Sequence, residues 1–178
     1  VIERNERWAA NPPVAAHGML FVAPQDASGL LAIDAVRGTL AWWAPREDDR
    51  YFASVEFGRV FLVGAQVQAL DALTGKRLWA SALPAKAAGR PALCQGRLYV
   101  PLETQLVAVQ TGDGTLTACR LWQPNEEPGN LTATDRALFV AARDRLYALA
   151  DWATTQEALA ARRKEKPDDP LAPLTPAP

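Results

Sequence analysis

Apolar residues along the chain recur in short runs that follow a glycine or another turn residue. The four runs are Gly18–Val22, Gly58–Leu62, Gly96–Val100 and Arg136–Val140, and their aromatic residues lie about 40, 38 and 40 residues apart. β-Branched and aromatic residues after a turn residue are typical of β-strands. Each run therefore predicts a strand, and the constant step predicts four copies of one structural unit.

Further strand signals surround each run. A second apolar stretch follows, at Gly29–Asp34, Val67–Asp71, Gln105–Gln110 and Arg145–Leu149. Short segments of the form P-x-x-x-x-G precede two of the runs, at Pro13–Gly18 and Pro91–Gly96. A period of roughly 40 residues with a cluster of short strands in each unit is the signature of a β-propeller. The sequence therefore predicts an all-β fold, a β-propeller of about four four-stranded blades.

Two of the units also share the spacing A-x-D-x-x-x-G-x-x-x-W. The residues that form this structural repeat motif are Ala32, Asp34, Gly38 and Trp42 in unit one, and Ala69, Asp71, Gly75 and Trp79 in unit two. An aspartate at a strand end accepts hydrogen bonds from turn amides, and the glycine supplies a positive φ. We expect each tryptophan to place its indole between adjacent blades and to donate its N–H to the neighbour.

This pattern resembles the tryptophan-docking repeat of pyrroloquinoline-quinone-type (PQQ-type) propellers, a family of quinoprotein dehydrogenases and of non-enzymatic outer-membrane assembly scaffold lipoproteins. The resemblance covers roughly residues 10–152. Unit two matches fully, whereas unit three carries Gln110 in place of the aspartate and Ala118 in place of the tryptophan. Members of the family usually have seven or eight blades, so the resemblance implies a partial ring, with closure by four blades as an alternative. Further blades of the same polypeptide or self-association of two copies would complete the ring.

The last residues have another character. Thr154–Glu157 reads as a capping box before an alanine-rich stretch, and prolines dominate after Pro167. We therefore expect three parts: blades over 1–152, a C-terminal helix over 153–166 and a Pro-rich linker or tail over 167–178. The helix resembles the entry to a tetratricopeptide array, and a solvated helix is the alternative. The chain begins without methionine or a leader, which favours a fragment of a larger, or a processed, bacterial protein.

Catalytic chemistry has few candidates in this sequence. His17 is the only histidine and precedes a glycine, so it is expected to be a turn residue. Cys94 and Cys119 are predicted on the innermost and outermost strands of the third blade and are not expected to meet. The adjacent cysteines of quinone-dependent relatives are absent. We therefore predict no catalytic, no cofactor-binding and no metal-binding residues, and no cofactor.

Charge and hydropathy exclude two classes of partner. Lysine and arginine total 19 against 20 acidic residues, which gives a net charge of −1 and argues against nucleic acid as a partner. No apolar run approaches the roughly 20 residues that a membrane-spanning helix needs.

Two functions remain. The first is a non-catalytic propeller module that binds a protein partner through its inter-blade loops, at Arg46–Tyr51, Pro84–Gly89 and Gln123–Gly129. The alternative is a fragment of a PQQ-dependent dehydrogenase whose cofactor site lies largely outside this chain. The resemblance implies a periplasmic or cell-envelope location.

Overall fold

The computed structural model describes residue 9, residues 11–150 and residue 164, and its strands form four antiparallel sheets. The sheets follow one another in chain order, and within each sheet the strands pair in sequence order. No sheet takes a strand from another unit. The predicted all-β fold of repeated propeller blades is therefore confirmed.

The strand bounds follow the repeat. The first sheet contains β1 (Val14–Ala16), β2 (Met19–Val22), β3 (Gly29–Asp34) and β4 (Leu40–Pro45). The second contains β5 (Tyr51–Glu56), β6 (Arg59–Val63), β7 (Gln66–Asp71) and β8 (Arg77–Ala82). The third contains β9 (Ala92–Cys94), β10 (Arg97–Pro101), β11 (Gln105–Gln110) and β12 (Leu116–Leu121). The fourth contains β13 (Asn130–Ala133), β14 (Ala137–Ala141) and β15 (Leu146–Ala150).

The fourth sheet differs from the other three because it has three strands within the described part of the chain. The helix predicted over 153–166 and the tail predicted over 167–178 lie outside the described residues, apart from Lys164.

Two-residue turns join the first and second strands of the first three sheets. In the first turn, His17 has a φ of 51° and Gly18 a φ of 71°. Positive φ at both central positions defines the type I′ turn, whose twist matches that of a hairpin. Phe57 and Gln95 occupy the position of His17 in the second and third turns, with φ values of 51° and 50°. His17 is thus an exposed turn residue.

Each sheet has two apolar faces because its second and third strands carry apolar side chains on both sides. On the forward face, toward the next sheet in the chain, an aromatic residue lies directly opposite an alanine; the pairs are Phe21–Ala32, Phe61–Ala69, Tyr99–Ala108 and Phe139–Ala148. On the backward face, aliphatic residues lie opposite one another; the pairs are Leu20–Ile33, Val60–Leu70, Leu98–Val109 and Leu138–Leu149. Strands covered on both faces read as continuous apolar runs.

The hydrophobic core is divided among the spaces between sheets. One cluster joins Phe21 of the first sheet to Val60 of the second, and another joins Phe61 to Leu98 of the third. A third cluster joins Leu106 of the third sheet to Leu138 of the fourth. Each sheet is therefore held by its neighbours.

The arc formed by the four sheets is open. The innermost strands contact one another in succession, β1 with β5, β5 with β9, and β9 with β13. No contact of that extent joins β13 back to β1 within residues 11–150. The described sheets therefore form a partial propeller, as predicted.

Candidate functional site

The first inter-sheet contact is made by Trp42 on β4. Its indole Nε1 donates a hydrogen bond of 3.0 Å to the carbonyl of Ala72 in the second sheet, and its ring lies 5.9 Å from that of Phe21, centroid to centroid. The same indole lies over Gly75, where an added Cβ would come within 2.6 Å of the ring. Gly75 thus leaves the space that the indole fills.

Trp79 on β8 makes the equivalent contact with the third sheet. Its Nε1 donates to the Thr111 carbonyl at 3.3 Å, and its ring covers Gly114. The Ser81 hydroxyl adds a 2.7 Å hydrogen bond to the carbonyl of Gly114. Each indole therefore docks on the turn between the third and fourth strands of the following sheet.

Aspartates shape these turns. Asp71 Oδ1 accepts hydrogen bonds from the backbone amides of Leu73 and Thr74 and from the Thr74 hydroxyl, and these bonds lower the pKa of Asp71. In the first sheet, Asp34 accepts from the amides of Val36 and Arg37, and its pKa is lowered for the same reason. Hydrogen bonds that favour the charged carboxylate lower its pKa.

In the third sheet, other residues shape the turn between the third and fourth strands. Gln110 occupies the position of the aspartate, and the carboxylate of Asp113 accepts from the Thr115 amide instead. The β-bulge of this sheet lies between Leu106 and Val107, so that Ala108 is opposite Thr117. In the second sheet the bulge lies after Ala69, which is opposite Trp79.

Trp122 makes a further indole hydrogen bond, which stays within the third sheet. Trp122, just beyond β12, donates its Nε1 to the Leu102 carbonyl at 2.8 Å and packs against the core between the third and fourth sheets. It lies outside the motif spacing, so the repeat did not predict its position.

The segments that link successive sheets gather at one end of the strands, which we call the connection face. It comprises the linkers 46–50, 83–91 and 122–129 together with the turns that join the second and third strands of each sheet. Backbone hydrogen bonds tie linkers to turns, from Arg46 N to the Ser28 carbonyl and from Ala88 N to the Pro101 carbonyl. The predicted interaction loops therefore share one face.

The first linker is less exposed than its sequence suggested. Arg46, Asp49 and Tyr51 are buried, and only residues 47, 48 and 50 are exposed. The Arg46 guanidinium donates to the carbonyls of Pro24 and Ala27, which anchors the linker to the first sheet. Three residues of the predicted loop are therefore buried, and the other three are exposed.

Asp49 is a buried titratable group beneath the connection face. Gln68 Nε2 donates to its carboxylate. Burial raises the pKa of Asp49 to about 7, whereas the Gln68 hydrogen bond and the charge of Arg46 act to lower it. The carboxyl therefore titrates near neutral pH.

A groove of about 590 Å³ opens on the connection face between the second and third sheets. Its lining carries charges of both signs: Asp48, Arg50, Gly64, Ala65, Lys86, Ala87, Ala88 and Glu103. A Cβ at Gly64 would come within 2.1 Å of the Asp48 carbonyl, so the linker and the turn pack closely there. Mixed charge around a groove suits a polar protein surface.

The third linker is tied to the fourth sheet. Glu126 accepts hydrogen bonds from Arg120 at 2.7 Å and from the Gln123 amide at 2.9 Å. The Tyr147 hydroxyl donates to the Glu127 carbonyl at 2.6 Å. These hydrogen bonds connect linker 122–129 to β12 and to β15.

Residues that carry reaction chemistry are dispersed. Cys94 on β9 and Cys119 on β12 are free thiols at opposite edges of the third sheet, and burial raises the pKa of Cys119. Within the described residues, no group of three or more histidine, cysteine, aspartate or glutamate side chains is arranged to hold a metal ion. A search of the same residues for a helix long and apolar enough to cross a membrane found none.

Solved structures of the same architecture are similar to this chain. BamB from Moraxella catarrhalis superposes with a TM-score of 0.57 at 19% identity, over 78% of this chain and 44% of that chain. The computationally designed Ika4 protein gives a TM-score of 0.63 at 12% identity, over 80% of this chain and 91% of that chain. The quinohemoprotein alcohol dehydrogenase ADHIIG from Pseudomonas putida HK5 gives a TM-score of 0.54 at 16% identity, over 72% of this chain and 27% of that chain. At identities below 25%, these superpositions show a shared fold alone.

This chain therefore spans less than half the length of the BamB structure. No curated protein sequence matches it significantly. The sequence profile of a PQQ-type repeat family, described as outer membrane protein assembly factor BamB, matches residues 3–166. Because that match covers most of the sequence, together with the repeated sheets and docked indoles, the chain belongs to the BamB family of PQQ-type β-propellers.

Proposed function

We propose that this chain is a non-catalytic scaffold module that binds a protein partner through its connection face. The observation that carries the proposal is the groove between the second and third sheets, with Asp48, Arg50, Lys86 and Glu103 at its walls. Folded linkers on a rigid frame are the usual place for binding residues. Asp48 and Arg50 lie in linker 46–50, and Lys86 lies in linker 83–91. Glu103 lies on the turn between β10 and β11, so the docking of one sheet on the next positions the four residues.

Family membership supports the class of partner. The family description refers to outer-membrane protein assembly, and we propose that the partner of this chain is a protein component of such an assembly apparatus in the bacterial envelope. The location that goes with this function is the periplasm. Cell fractionation of the native protein should recover it with periplasmic or envelope fractions.

A site-specific crosslinking experiment tests the surface. A photoreactive residue at Lys86, in the groove, should crosslink to an assembly component in cells, whereas the same residue at Leu73 should not. Leu73 is 62% exposed and lies on the turn at the opposite end of the second sheet. Equal crosslinking from both positions, or none from position 86, would contradict the proposal.

Charge reversal tests the chemistry of the groove. Lys86→Glu or Glu103→Lys should weaken binding of the captured component by about tenfold each, as expected for the loss of a charged contact. Arg136→Glu, on an exposed turn at the other end of the fourth sheet, serves as the control. Binding of a redox-active quinone with calcium by the full-length protein would instead favour the oxidoreductase alternative.

A further inference from the structure

The second sheet exposes three large apolar side chains at the end opposite the connection face, which we call the turn end. Phe57, in the turn between β5 and β6, is 64% exposed, and Leu73, in the turn between β7 and β8, is 62% exposed. Leu78, near the start of β8, is 48% exposed. Because this sheet packs against a neighbouring sheet on each side, their exposure does not come from an end of the arc.

The three side chains belong to one surface. They line a groove of about 480 Å³, and His17 of the first sheet lines it from the neighbouring turn. On that first sheet, Val36 occupies the position of Leu73 and is 90% exposed. We call Val36, Phe57, Leu73 and Leu78 the turn-end patch. A contiguous exposed patch of large apolar side chains marks an interaction surface.

The repeat shows that the turns do not need these apolar residues. In the third sheet, the positions of the three second-sheet residues are taken by Gln95, Gly112 and Thr117. The third sheet forms the same two turns between the same strands. The apolar side chains of the turn-end patch therefore have a reason other than the fold of the turn.

Phe57 makes this point most clearly. It has a φ of 51° at the first central position of a type I′ turn, where asparagine, aspartate and glycine are favoured. A bulky aromatic residue in this left-handed region is strained, and most of its ring is also left in water. Strained positions of this kind occur where the side chain has a function.

Basic side chains surround the turn-end patch. One lies within three residues of each patch member; they are Arg37, Arg59, Lys76 and Arg77. Arg37, Lys76 and Arg77 are exposed, and Arg59 is half-buried. Cations beside exposed apolar residues suit a surface that is both apolar and anionic.

The acidic side chains at this end are engaged within the protein. Asp34 accepts hydrogen bonds from two turn amides and from Arg37, and Asp71 accepts from two turn amides and from Thr74. Glu56, next to Phe57, has one carboxylate oxygen buried. The exposed charges beside Leu73 and Leu78 are therefore those of the basic side chains.

We propose that the turn end of the first and second sheets rests on the surface of an anionic phospholipid bilayer. Val36, Phe57 and Leu73 lie at the boundary between headgroups and acyl chains, and Lys76 and Arg77 face the lipid phosphates. A flat lipid surface reaches side chains on three separate turns at once. Apolar burial and attraction to anionic lipids add in such a peripheral contact. The connection face then points away from the bilayer.

Co-sedimentation of the full chain with lipid vesicles tests the proposal. Vesicles of phosphatidylglycerol and phosphatidylcholine in equal parts should bind the chain about tenfold more tightly than vesicles of phosphatidylcholine alone. An ionic strength of about 0.5 M should reduce this difference, because salt screens the attraction between exposed charges.

Two variants test the apolar side chains. Phe57→Asn and Leu73→Ser should each weaken binding to the anionic vesicles by about fivefold. Asparagine suits the positive φ at position 57, so the first variant keeps the turn, and circular dichroism verifies that both are folded. Leu121→Ser is the matched control, since Leu121 is 66% exposed at the end of β12 on the side of the connection face.

A fluorescent label tests the orientation. In a chain with Cys94→Ser and Cys119→Ser, a nitrobenzoxadiazole group attached at Leu73→Cys should shift its emission to the blue when anionic vesicles are added. The same label at Lys86→Cys, on the connection face, should not shift.

Three results would overturn the proposal. These are a folded chain that does not bind the anionic vesicles, binding that neither Phe57→Asn nor Leu73→Ser weakens, and equal emission shifts from positions 73 and 86. The first result would favour an apolar protein segment as the occupant of the groove.

Discussion

Trp79 joins the second and third sheets by three kinds of contact. Its Nε1 donates to Thr111, its ring packs at 6.0 Å from that of Phe61, and its face covers Gly114. Loss of the ring would leave a cavity between two sheets that are held together mainly by apolar packing.

We predict that Trp79→Ala lowers the free energy of unfolding by about 3 kcal/mol, the lower end for large aromatic truncations, because the side chain is half-buried. Urea denaturation measures this change. Leu78→Ala, at the neighbouring exposed position, should change stability by about 0.5 kcal/mol or less. Equal losses in the two variants would show that the indole is not a structural contact.

Asp49 makes stability depend on pH. Its folded pKa of about 7 lies above the ordinary value of 3.8, so the unfolded chain releases this proton at a lower pH than the folded chain does. Because the unfolded state binds fewer protons between these two values, the contribution of Asp49 to stability is complete below about pH 4 and is lost as the pH rises through 7.

We predict that Asp49→Asn removes this decline, since an asparagine can accept the hydrogen bond from Gln68 without ionising. Unfolding free energies of both proteins should be measured by urea denaturation between pH 4 and 8. The wild type should lose stability relative to the variant across that range. A constant difference at all pH values would contradict the assignment.

At the scale of the element, a turn glycine can have two roles: it adopts a positive φ, and it leaves space for a neighbouring side chain. Gly75 has both roles, whereas Gly38 has only the first. Both have a positive φ, of 70° and 68°, which costs other residues about 1 kcal/mol. A Cβ at Gly75 would also come within 2.6 Å of the Trp42 ring, whereas none of the surrounding atoms lies within 4 Å of a Cβ at Gly38.

We predict that Gly75→Ala destabilises the chain by about 1 to 3 kcal/mol more than Gly38→Ala, because the indole must shift. In a Trp42→Ala background the excess should fall below about 0.5 kcal/mol, since the clash is gone. Thermal and urea unfolding of the single and double variants measure these differences in the free energy of unfolding. If the extra destabilisation by Gly75→Ala persisted in the Trp42→Ala background, the clash with the indole would not be its cause.

The elements were largely predictable because each depends on residues close together in the chain. The turn glycines, the aspartates that cap turns and the alternation of strand residues are local signals, and they placed all four sheets. The third sheet shows the limit of this reasoning. Its bulge lies between Leu106 and Val107, a position that is set by the pairing between β11 and β12.

For the whole molecule, cohesion comes from contacts between neighbouring sheets. Within the described residues, the second and third sheets each have a neighbouring sheet on both faces, whereas the first and fourth each have one such neighbour. Stability in such stacked units approximates a sum of nearest-neighbour terms, so the ends should open more easily than the middle.

We predict that hydrogen exchange, followed by mass spectrometry, is slowest in β6, β7, β10 and β11 and faster in β2 and β14. Uniform protection of all four sheets would contradict nearest-neighbour cohesion.

The sequence by itself determined the repeat, the fold class and the order of the blades, because spacing, turn chemistry and strand propensity act over a few residues. It also identified the indoles that could dock between sheets. Only the tertiary structure decided which charged side chains of linker 46–50 are buried and that Trp122 serves the third interface. It alone also decided which apolar side chains of the described residues remain exposed. These features depend on contacts between residues far apart in the chain, and spacing along one strand carries no record of what packs against it.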